Sequence, residues 1–483
     1  MKIHALMTKN TFFVLLALVC LFLIHFIPAP ASIAYAGGVT LSYAGKSAIG
    51  VLVFALILWL TEAVPFHITG FFAIFLLAVL RVESFPEIIQ LGFGNHIVVF
   101  MFGVLILSAF VNRSGLGKRI TLFLLSLTGN QTRAVVFGFL GIGVLLSMWL
   151  SNMAVAAMLM PLARGILVDE GVKPLKSNFG RALMIACAWG PAIGGIGTPA
   201  GAGPNPLAIG FLKEMAGIDI SFLHWTAIGA PAALLLLVPS WFILTSVFPP
   251  EIKHLRKSTA DLTRDFRELP PMGMEEKITI FVFGLTVLFW IFSPTLETWL
   301  RIEIPISMSV MFTAGLFFLP GASKIEWKDI ESDINWSGII LVLAGISLGM
   351  TLHTTQAARW LSASLLGGIG KLGPFPSILV VILLVSLLKI VFSSNSVTAS
   401  IVVPLMIGLA QGLNASVLRL VLPAAITSSL GLILVTSAPT NVIPYTAGYF
   451  SIADMAKAGV ILTVIAAAIV AVAIYLVGNL FGM

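Results

Sequence analysis

The chain has 483 residues, of which 59% are hydrophobic and only 10% are charged. A soluble protein averages roughly 25% charged residues, so most of this surface must face something other than water. Apolar runs near the ~20 residues that span a bilayer recur along the sequence, which lacks the alternation of a membrane barrel. The composition therefore predicts an all-α polytopic membrane protein in contact with the lipid bilayer.

The net charge of +7 requires no nucleic-acid partner, because the basic residues cluster in short loops, as the positive-inside tendency produces. Cys20 and Cys187 lie inside apolar segments, so the sequence indicates neither a disulfide framework nor a cysteine-based metal site. Residues 1–36 imitate a signal peptide. We interpret them as a retained first helix, because their apolar run is long for a cleaved signal and another hydrophobic segment follows at once.

In chain order, the candidate membrane segments of the first half are 11–27, 46–64, 67–80, 96–127, 134–166, 181–215 and 224–248. Those of the second half are 278–292, 304–319, 336–369, 374–409, 417–450 and 453–481. The longest exceed one span and carry Ser, Asn, Gly or Pro near the middle, which is typical of re-entrant hairpins and broken helices. Residues 249–277, rich in proline and in both charges, predict a solvated cytoplasmic linker between the halves.

A Ser-Asn pair occurs at an equivalent place in each half. Ser151 and Asn152 interrupt one apolar run, and Ser394 and Asn395 interrupt another about half the chain away. Each pair is followed by a Gly/Pro/Thr-rich break that ends in asparagine, at residues 194–205 and 436–441. Paired interruptions at equivalent places in two repeats are typical of a transporter's binding site at the membrane midplane.

The placement of basic residues predicts that the two repeats are inverted. The ends of the first hairpin are rich in basic side chains, whereas those of the second are not. These residues are Arg133, Arg164, Lys173, Lys176 and Arg181 in the first half, and Lys371 and Arg419 in the second. By the positive-inside rule the N-terminus is then cytoplasmic and the C-terminus external.

The broken helices predict the chemistry of the site. A break in hydrocarbon exposes backbone groups at a cost of several kcal/mol each unless they are used. Helix N-termini attract anions, and unwound carbonyls together with Ser, Thr and Asn oxygens suit Na⁺. The candidate cation ligands are Ser147, Ser151, Asn152 and the 198–201 backbone in one repeat, and Ser394, Asn395 and the backbone near Ser437 in the other. The alternative is that these polar residues only join helices to one another.

With these motifs the chain resembles the divalent-anion:sodium symporter family, whose signature is a Ser-Asn-Thr triplet in each of two hairpins. The resemblance covers nearly the whole chain, and its segments are 59–65, 148–161, 194–205, 335–336, 393–404 and 436–441. It implies eleven transmembrane helices plus two re-entrant hairpins, a homodimer built on a scaffold domain, and a transport domain that moves as an elevator. The expected location is the cell (inner) membrane.

The resemblance also implies a division of the chain and a set of ligands. The parts are a first-repeat scaffold (1–127), a first-repeat transport part (128–248), the linker (249–277), a second-repeat scaffold (278–370) and a second-repeat transport part (371–483). The first sodium site falls on Ser147, Ser151, Asn152 and Gly201, and the second on Ser394, Asn395 and Ser437. The substrate falls on Asn152, Met153, Asn395, Ser396, Ala438 and Pro439.

The sequence departs from the signature at three positions. Met153 replaces a hydroxyl that would contact a substrate carboxylate, whereas Ser396 keeps its hydroxyl. Ile390 occupies the position four before Ser394, where the first repeat has Ser147, so the first sodium site is favoured over the second. Lys389 lies at membrane depth; its ammonium either stands in for the second cation or snorkels toward the interface.

Other motifs do not indicate an enzyme. The Gly-x-Ser-x-Gly pattern at 345–349 lies within a long apolar helix rather than a strand-to-helix turn. No histidine pair has metal-ligand spacing on one helix. Glu62 is either a proton relay or a brace at a helix end.

We therefore predict sodium-coupled symport of a small divalent anion, a di- or tricarboxylate such as succinate, malate or citrate, or sulfate. The alternatives are a sodium-independent anion exchanger and an intramembrane enzyme.

Overall fold

The computed structural model describes residues 2–28, 35–36, 38–256, 264 and 266–480. Within these ranges, ten helices are long and apolar enough to cross a membrane, and four shorter apolar helices accompany them. The one sheet of the described ranges pairs two strands of two residues each, β1 (Tyr35–Ala36) and β2 (Val39–Thr40). The predicted class, an all-α polytopic membrane protein, is confirmed.

The first half contains eleven helices among the described residues. They are α1 (Lys2–Phe26), α2 (Tyr43–Thr61), α3 (Phe66–Val79), α4 (Phe85–Phe93), α5 (His96–Arg113), α6 (Leu116–Ser126), α7 (Thr132–Ser147), α8 (Asn152–Asp169), α9 (Asn178–Gly194), α10 (Pro204–Ala216) and α11 (Phe222–Val247). Short polar side chains begin many of them, since a Ser or Asn oxygen accepts from a first-turn N–H that has no helical partner. Ser42, Ser84, Asn95, Ser151, Ser177 and Ser221 cap in this way.

The second half repeats the order of α2–α11. Its described helices are α12 (Met274–Leu300), α13 (Ile306–Leu316), α14 (Trp327–Ile330), α15 (Trp336–Thr354), α16 (Ala357–Leu366), α17 (Pro374–Val391), α18 (Asn395–Leu413), α19 (Val417–Ser428), α20 (Pro439–Tyr445) and α21 (Ile452–Leu480). Two short 3₁₀ helices cover Gly367–Lys371 and Val435–Ser437. The repeat predicted from the Ser-Asn pairs thus extends to the element order of both halves.

Several helix boundaries differ from the sequence expectation. The segment expected over 96–127 is two helices, because Gly115 adopts a left-handed backbone with φ +84° that ends α5 and starts α6. The segment expected over 336–369 breaks in the same way at Gln356, whose φ is 60°. Helix α12 begins at Met274, inside the segment expected to be linker.

The first helix packs on α2. Ala17 and Leu21 are fully buried, and at the helix end His25 Nδ1 lies 2.8 Å from Ser47 Oγ. Residues 1 and 29–34, which belong to the segment that imitates a signal peptide, lie outside the described residues, as do 37 and 481–483. Retention of the first helix stays a prediction.

Three buried apolar clusters divide the interior. The largest unites α7–α11 with α17–α19 and α21, and so draws on both expected transport parts. A second cluster is built mainly from α1–α4 with α15 and α16. The third combines α5 with α12 and α13. Each cluster also takes residues from across the expected boundaries, for example Val342 in the first, Val397 in the second and Phe222 in the third. The division into scaffold and transport parts stays a prediction.

The start of the linker is attached to the first hairpin rather than free in solvent. Thr132 N donates to Lys253 O at 3.1 Å, and Leu255 N donates to Asn130 O at 2.9 Å. The Glu251 carboxylate accepts from the first backbone N–H groups of α9. The linker residues 257–263 and 265 lie outside the described residues.

Candidate functional site

The two Ser-Asn pairs form the tips of two helical hairpins, α7–α8 and α17–α18. Ser151 caps α8 by accepting from Ala154 N, and Ser394 caps α18 by accepting from Val397 N. Each cap leaves the earliest N–H groups of its helix without a helical acceptor. The two Ser-Asn positions are therefore two helix N-termini, which favour negative charge.

Both tips open into one cavity of about 720 Å³. Most of the predicted ligands line it, namely Ser151, Asn152, Met153, Gly201, Ser394, Asn395, Ser396 and Pro439. Three others lie behind its wall and are almost fully buried, namely Ser147, Ser437 and Ala438. The structure thus brings the candidates of both repeats together around one space. Their roles in binding stay predictions.

Below the first tip lies a cluster of oxygen atoms. The side-chain amide of Asn152 contacts Ser147 Oγ at 2.6 Å. The same end of the amide lies 2.9 Å from Gly201 O and 3.3 Å from Pro191 O. With its nitrogen turned toward these atoms the amide donates to the carbonyls. With its oxygen turned toward them it completes a group of four oxygens, which is the ligand type that a hard cation takes.

Below the second tip the equivalent space holds an ammonium group. Lys389 Nζ donates to Asn395 Oδ1 at 2.8 Å and to Ser437 O at 2.6 Å. The residue is only 2% exposed, so the snorkelling interpretation is wrong. Two predicted ligands of the second cation are therefore already bound to a lysine.

Each helix break is closed by the asparagine at its end. Asn205 Nδ2 donates to Gly195 O and Thr198 O, both at 2.7 Å. Asn441 Nδ2 donates to Gly431 O at 2.6 Å and to Leu434 O at 3.1 Å. Sequence reasoning noted these asparagines as the ends of the breaks but gave them no role, although their shared position in both repeats was the available signal.

Sequence reasoning also missed the contact between a break and the opposite tip. Gly203 and Ala202 line the cavity, and a side chain at Gly203 would collide with Ser396 Oγ. A side chain at residue 203 would therefore require the Ser396 hydroxyl to rotate away from its present position. Thr440, beside the predicted Pro439, also lines the cavity.

The remaining wall of the cavity comes from the expected scaffold. It includes His67 of α3 and the last turn of α5. Arg113 forms a bidentate ion pair with Asp333, with Nε–Oδ2 at 2.5 Å and Nη2–Oδ1 at 2.9 Å. This pair sets the C-terminus of α5 beside the start of α15, its counterpart in the second repeat. Such an arrangement is expected of inverted repeats, whose inversion stays a prediction.

A second contact joins the scaffold directly to a hairpin tip. Glu62 ends α2 in a left-handed conformation with φ 51°, and its Oε1 accepts from Ser393 Oγ at 2.5 Å. The carboxylate therefore braces the helix end against the second tip. Within the described residues no group of three or more His, Cys, Asp or Glu side chains is placed to hold a metal ion.

Solved structures share this fold at low sequence identity. The YdaH transporter of Alcanivorax borkumensis aligns with a TM-score of 0.56 at 14% identity, over 97% of both chains. MtrF of Neisseria gonorrhoeae aligns with a TM-score of 0.54 at 14% identity, over 97% of this chain and 94% of that one. At this identity the likeness bears on the fold alone.

Sequence relatives are closer. The sodium-dependent dicarboxylate transporter SdcS of Staphylococcus saprophyticus is 29% identical over 451 residues, covering 88% of this chain and 86% of the relative. SdcS of Staphylococcus aureus (strain USA300) is 28% identical over 455 residues, covering 89% and 86%. The profile of the sodium:sulfate symporter transmembrane region matches residues 8–483. The chain therefore belongs to the sodium:sulfate symporter family, a family of transporters.

Proposed function

We propose that this protein is a sodium-coupled symporter of a small divalent anion, first of all a dicarboxylate such as succinate or malate, with citrate and sulfate as further substrates to test. The observation that carries the proposal is the single cavity into which both Ser-Asn tips open. Relatives that align along most of the chain are named sodium-dependent dicarboxylate transporters. Transport rather than enzymatic chemistry is the activity that this site supports.

A dicarboxylate fits the cavity because its two charges match two helix N-termini. One carboxylate would meet the first-turn N–H groups of α8 and the Asn152 amide. The other would meet those of α18, with Asn395 and Ser396. Helix N-termini bind anions without a paired arginine. The backbone beside Pro439 completes the second half of the site.

Sodium would bind below the first tip. Ser147 Oγ, Asn152 Oδ1 and Gly201 O are the ligands. Ser147 Oγ lies 2.6 Å and Gly201 O lies 2.9 Å from the same end of the Asn152 amide. Ser151, which lines the cavity above, belongs to the same site. Binding of the cation turns the Asn152 oxygen toward the carbonyls and frees its nitrogen for the substrate. Cation and anion then bind cooperatively, because each favours the same amide orientation.

Transport would proceed by movement of the two transport parts as one block against the scaffold. The largest apolar cluster already unites them, whereas the cavity lies where they meet the scaffold. The Glu62–Ser393 contact crosses this boundary, so it must break when the block moves. We place the protein in the cell membrane as a homodimer, with a cytoplasmic N-terminus and an external C-terminus.

The function is tested by uptake into proteoliposomes of purified protein with and without a Na⁺ gradient. We expect uptake of labelled dicarboxylate that requires Na⁺, and its loss in Asn152→Ala and Asn395→Ala at unchanged folding. Asn414→Gly, a change at the far end of α18 where the backbone φ is 50°, is the matched control. Uptake that does not depend on Na⁺ but requires substrate inside the proteoliposomes would instead show that the protein is a sodium-independent anion exchanger.

Movement of the block is tested by a cross-link between Glu62→Cys and Ser393→Cys, in a chain whose Cys20 and Cys187 are replaced by serine. A short thiol-reactive linker across this pair should stop uptake, and reductive cleavage of the linker should restore it. Each single cysteine variant treated with the same linker is the control. Full uptake by the cross-linked protein would contradict the elevator movement.

A further inference from the structure

Lys389 is a buried charged residue at the site, and the proposed sodium-coupled transport gives it no role. It lies in the last turn of α17 and is 2% exposed. Among the described residues, no carboxylate forms an ion pair with it. Lysine carries only donors, and the two partners of Nζ, Asn395 Oδ1 and Ser437 O, are acceptors.

The two partners of Lys389 are the counterparts of two proposed sodium ligands. Asn395 begins α18 as Asn152 begins α8. Ser437 stands four residues before the break-closing Asn441, as Gly201 stands four before Asn205. In the second repeat the ammonium thus contacts the Asn395 amide and Ser437 O. These groups are the counterparts of the Asn152 amide and Gly201 O, which are proposed sodium ligands in the first repeat.

The helix before each tip ends differently in the two hairpins. Helical turns continue past α7 to Leu150, whose N–H donates to Leu146 O, whereas α17 ends at Val391 and Phe392 is extended. Ile390, which aligns with Ser147 in sequence, is 38% exposed, and Lys389 before it faces the site. Neighbouring residues of a helix point about 100° apart, so only one of the two faces the site.

We propose that the Lys389 ammonium is a built-in cation that permanently fills the second cation site. This inference rests on the proposed function and adds to it that the carrier couples a single Na⁺ to each dianion. Lys389 stabilises the second carboxylate of the substrate, as a bound sodium would, but its charge never leaves the protein.

The fixed charge has consequences for the transport cycle. With one Na⁺ and a dianion bound, the charges of sodium, Lys389 and substrate sum to zero, so the loaded block crosses the membrane without net charge. The empty block carries the lysine charge alone, and a buried unpaired charge is costly. Return of the empty block is therefore slow, and exchange of internal for external dianion is faster than net uptake. Each net cycle carries one negative charge inward.

The test measures the number of sodium ions in the wild-type protein. Calorimetric titration of the purified protein with NaCl should give one Na⁺ per protomer, and uptake should rise with Na⁺ at a Hill coefficient of one. An inside-positive potential, set with valinomycin and potassium, should accelerate net uptake of a dianion such as succinate. Two Na⁺ per protomer, or net uptake that ignores the potential, would overturn the proposal.

The variant Lys389→Met keeps the length of the side chain and removes the charge. It should weaken succinate binding by about tenfold or more, because the positive charge that attracts the second carboxylate of succinate is lost. Its single Na⁺ should remain. Lys371→Met, an exposed lysine that precedes α17, is the matched control. Unchanged succinate affinity in folded Lys389→Met would overturn the proposal. If the wild-type protein neither binds Na⁺ nor takes up any dianion, the proposed function itself is wrong.

Discussion

Asn205 and Asn441 make the same two hydrogen bonds at the same chain separations. Each side chain donates to the carbonyls ten and seven residues before it. Other carbonyls of the two breaks accept from tryptophans. Trp225 Nε1 donates to Ile196 O in the first break, and Trp189 Nε1 donates to Leu432 O in the second. Unwound backbone is tolerated at membrane depth only where such partners satisfy it. These asparagines therefore keep both breaks in shape.

We expect Asn205→Ala and Asn441→Ala to destabilise the protein to a similar extent. Each change leaves one buried carbonyl, Gly195 O or Gly431 O, without a donor, at about 1–3 kcal/mol for an unsatisfied group. The second carbonyl, Thr198 O or Leu434 O, keeps its backbone donor. Thermal unfolding in detergent should show both melting temperatures lowered, and uptake should fall with them. Asn130→Ala, in the loop before α7, should melt as the wild type does. Wild-type melting of either variant would show that the break holds its shape without the asparagine.

Removal of one hydroxyl tests the first cation site. Ser147 is fully buried and contacts the Asn152 amide. In Ser147→Ala the Na⁺ concentration for half-maximal uptake should rise about tenfold, as expected for loss of a hydrogen-bonding ligand of a charged group. Maximal uptake at saturating Na⁺ should change less.

The control for this change is Ser240→Ala. Ser240 is equally buried, but its hydroxyl donates to Leu236 O within its own helix. Its Na⁺ dependence should match the wild type. If Ser147→Ala and Ser240→Ala respond alike to Na⁺, Ser147 is not a ligand.

Met153 is expected to determine which anions are accepted. It is 40% exposed and lines the same cavity as Ser396 of the second tip. In Met153→Thr a hydroxyl replaces the apolar side chain, so the ranking of succinate, malate, citrate and sulfate should shift by about tenfold. The Na⁺ dependence should stay constant. Met153→Leu keeps an apolar side chain and should keep the ranking, and an unchanged ranking in both variants would remove Met153 from the substrate site.

The sequence predicts the cavity because the residues that line it are polar or helix-breaking residues within apolar segments. A Ser-Asn pair or a Gly/Pro-rich break within an apolar run is costly in a membrane, so its occurrence at equivalent places predicts that the places meet. Ser151, Asn152, Ser394 and Asn395 do line one cavity. The helix break at Gly115 could also have been predicted, because glycine readily adopts a left-handed backbone. The break at Gln356 could not, because glutamine has no such preference.

The sequence could not predict which residue of α17 faces the site. Alignment pairs Ile390 with Ser147, yet Lys389 is the residue that faces the site. The two helices end differently, since helical turns continue past α7 to Leu150 whereas α17 ends at Val391 and Phe392 is extended. Where a helix ends is fixed by the packing of the tip, which the sequence does not reveal. The attachment of the linker by Glu251 was likewise not predictable, because its partners lie more than 70 residues away.

Glu251 predicts a dependence of stability on pH. Burial alone would raise the pKa of its carboxyl group, but hydrogen bonds from the Ser177 hydroxyl and from the N–H groups of Asn178 and Phe179 outweigh burial and lower this pKa below its ordinary value. A carboxyl group whose pKa is lowered by folding stabilises the protein above its unfolded pKa, about 4.3, and this contribution is lost as the pH falls through the folded pKa.

At pH 7 we therefore expect Glu251→Gln to lower the free energy of unfolding by about 1 kcal/mol or less, the usual value of a helix cap on a solvent-facing group. At a pH below the folded pKa the protonated wild type should unfold at the same temperature as the variant. Thermal unfolding of both proteins from pH 7 downward measures the difference. Glu268→Gln, an exposed linker residue, controls for loss of charge. A difference between Glu251→Gln and wild type that persists unchanged in acid would show that the ionised carboxylate does not cap α9.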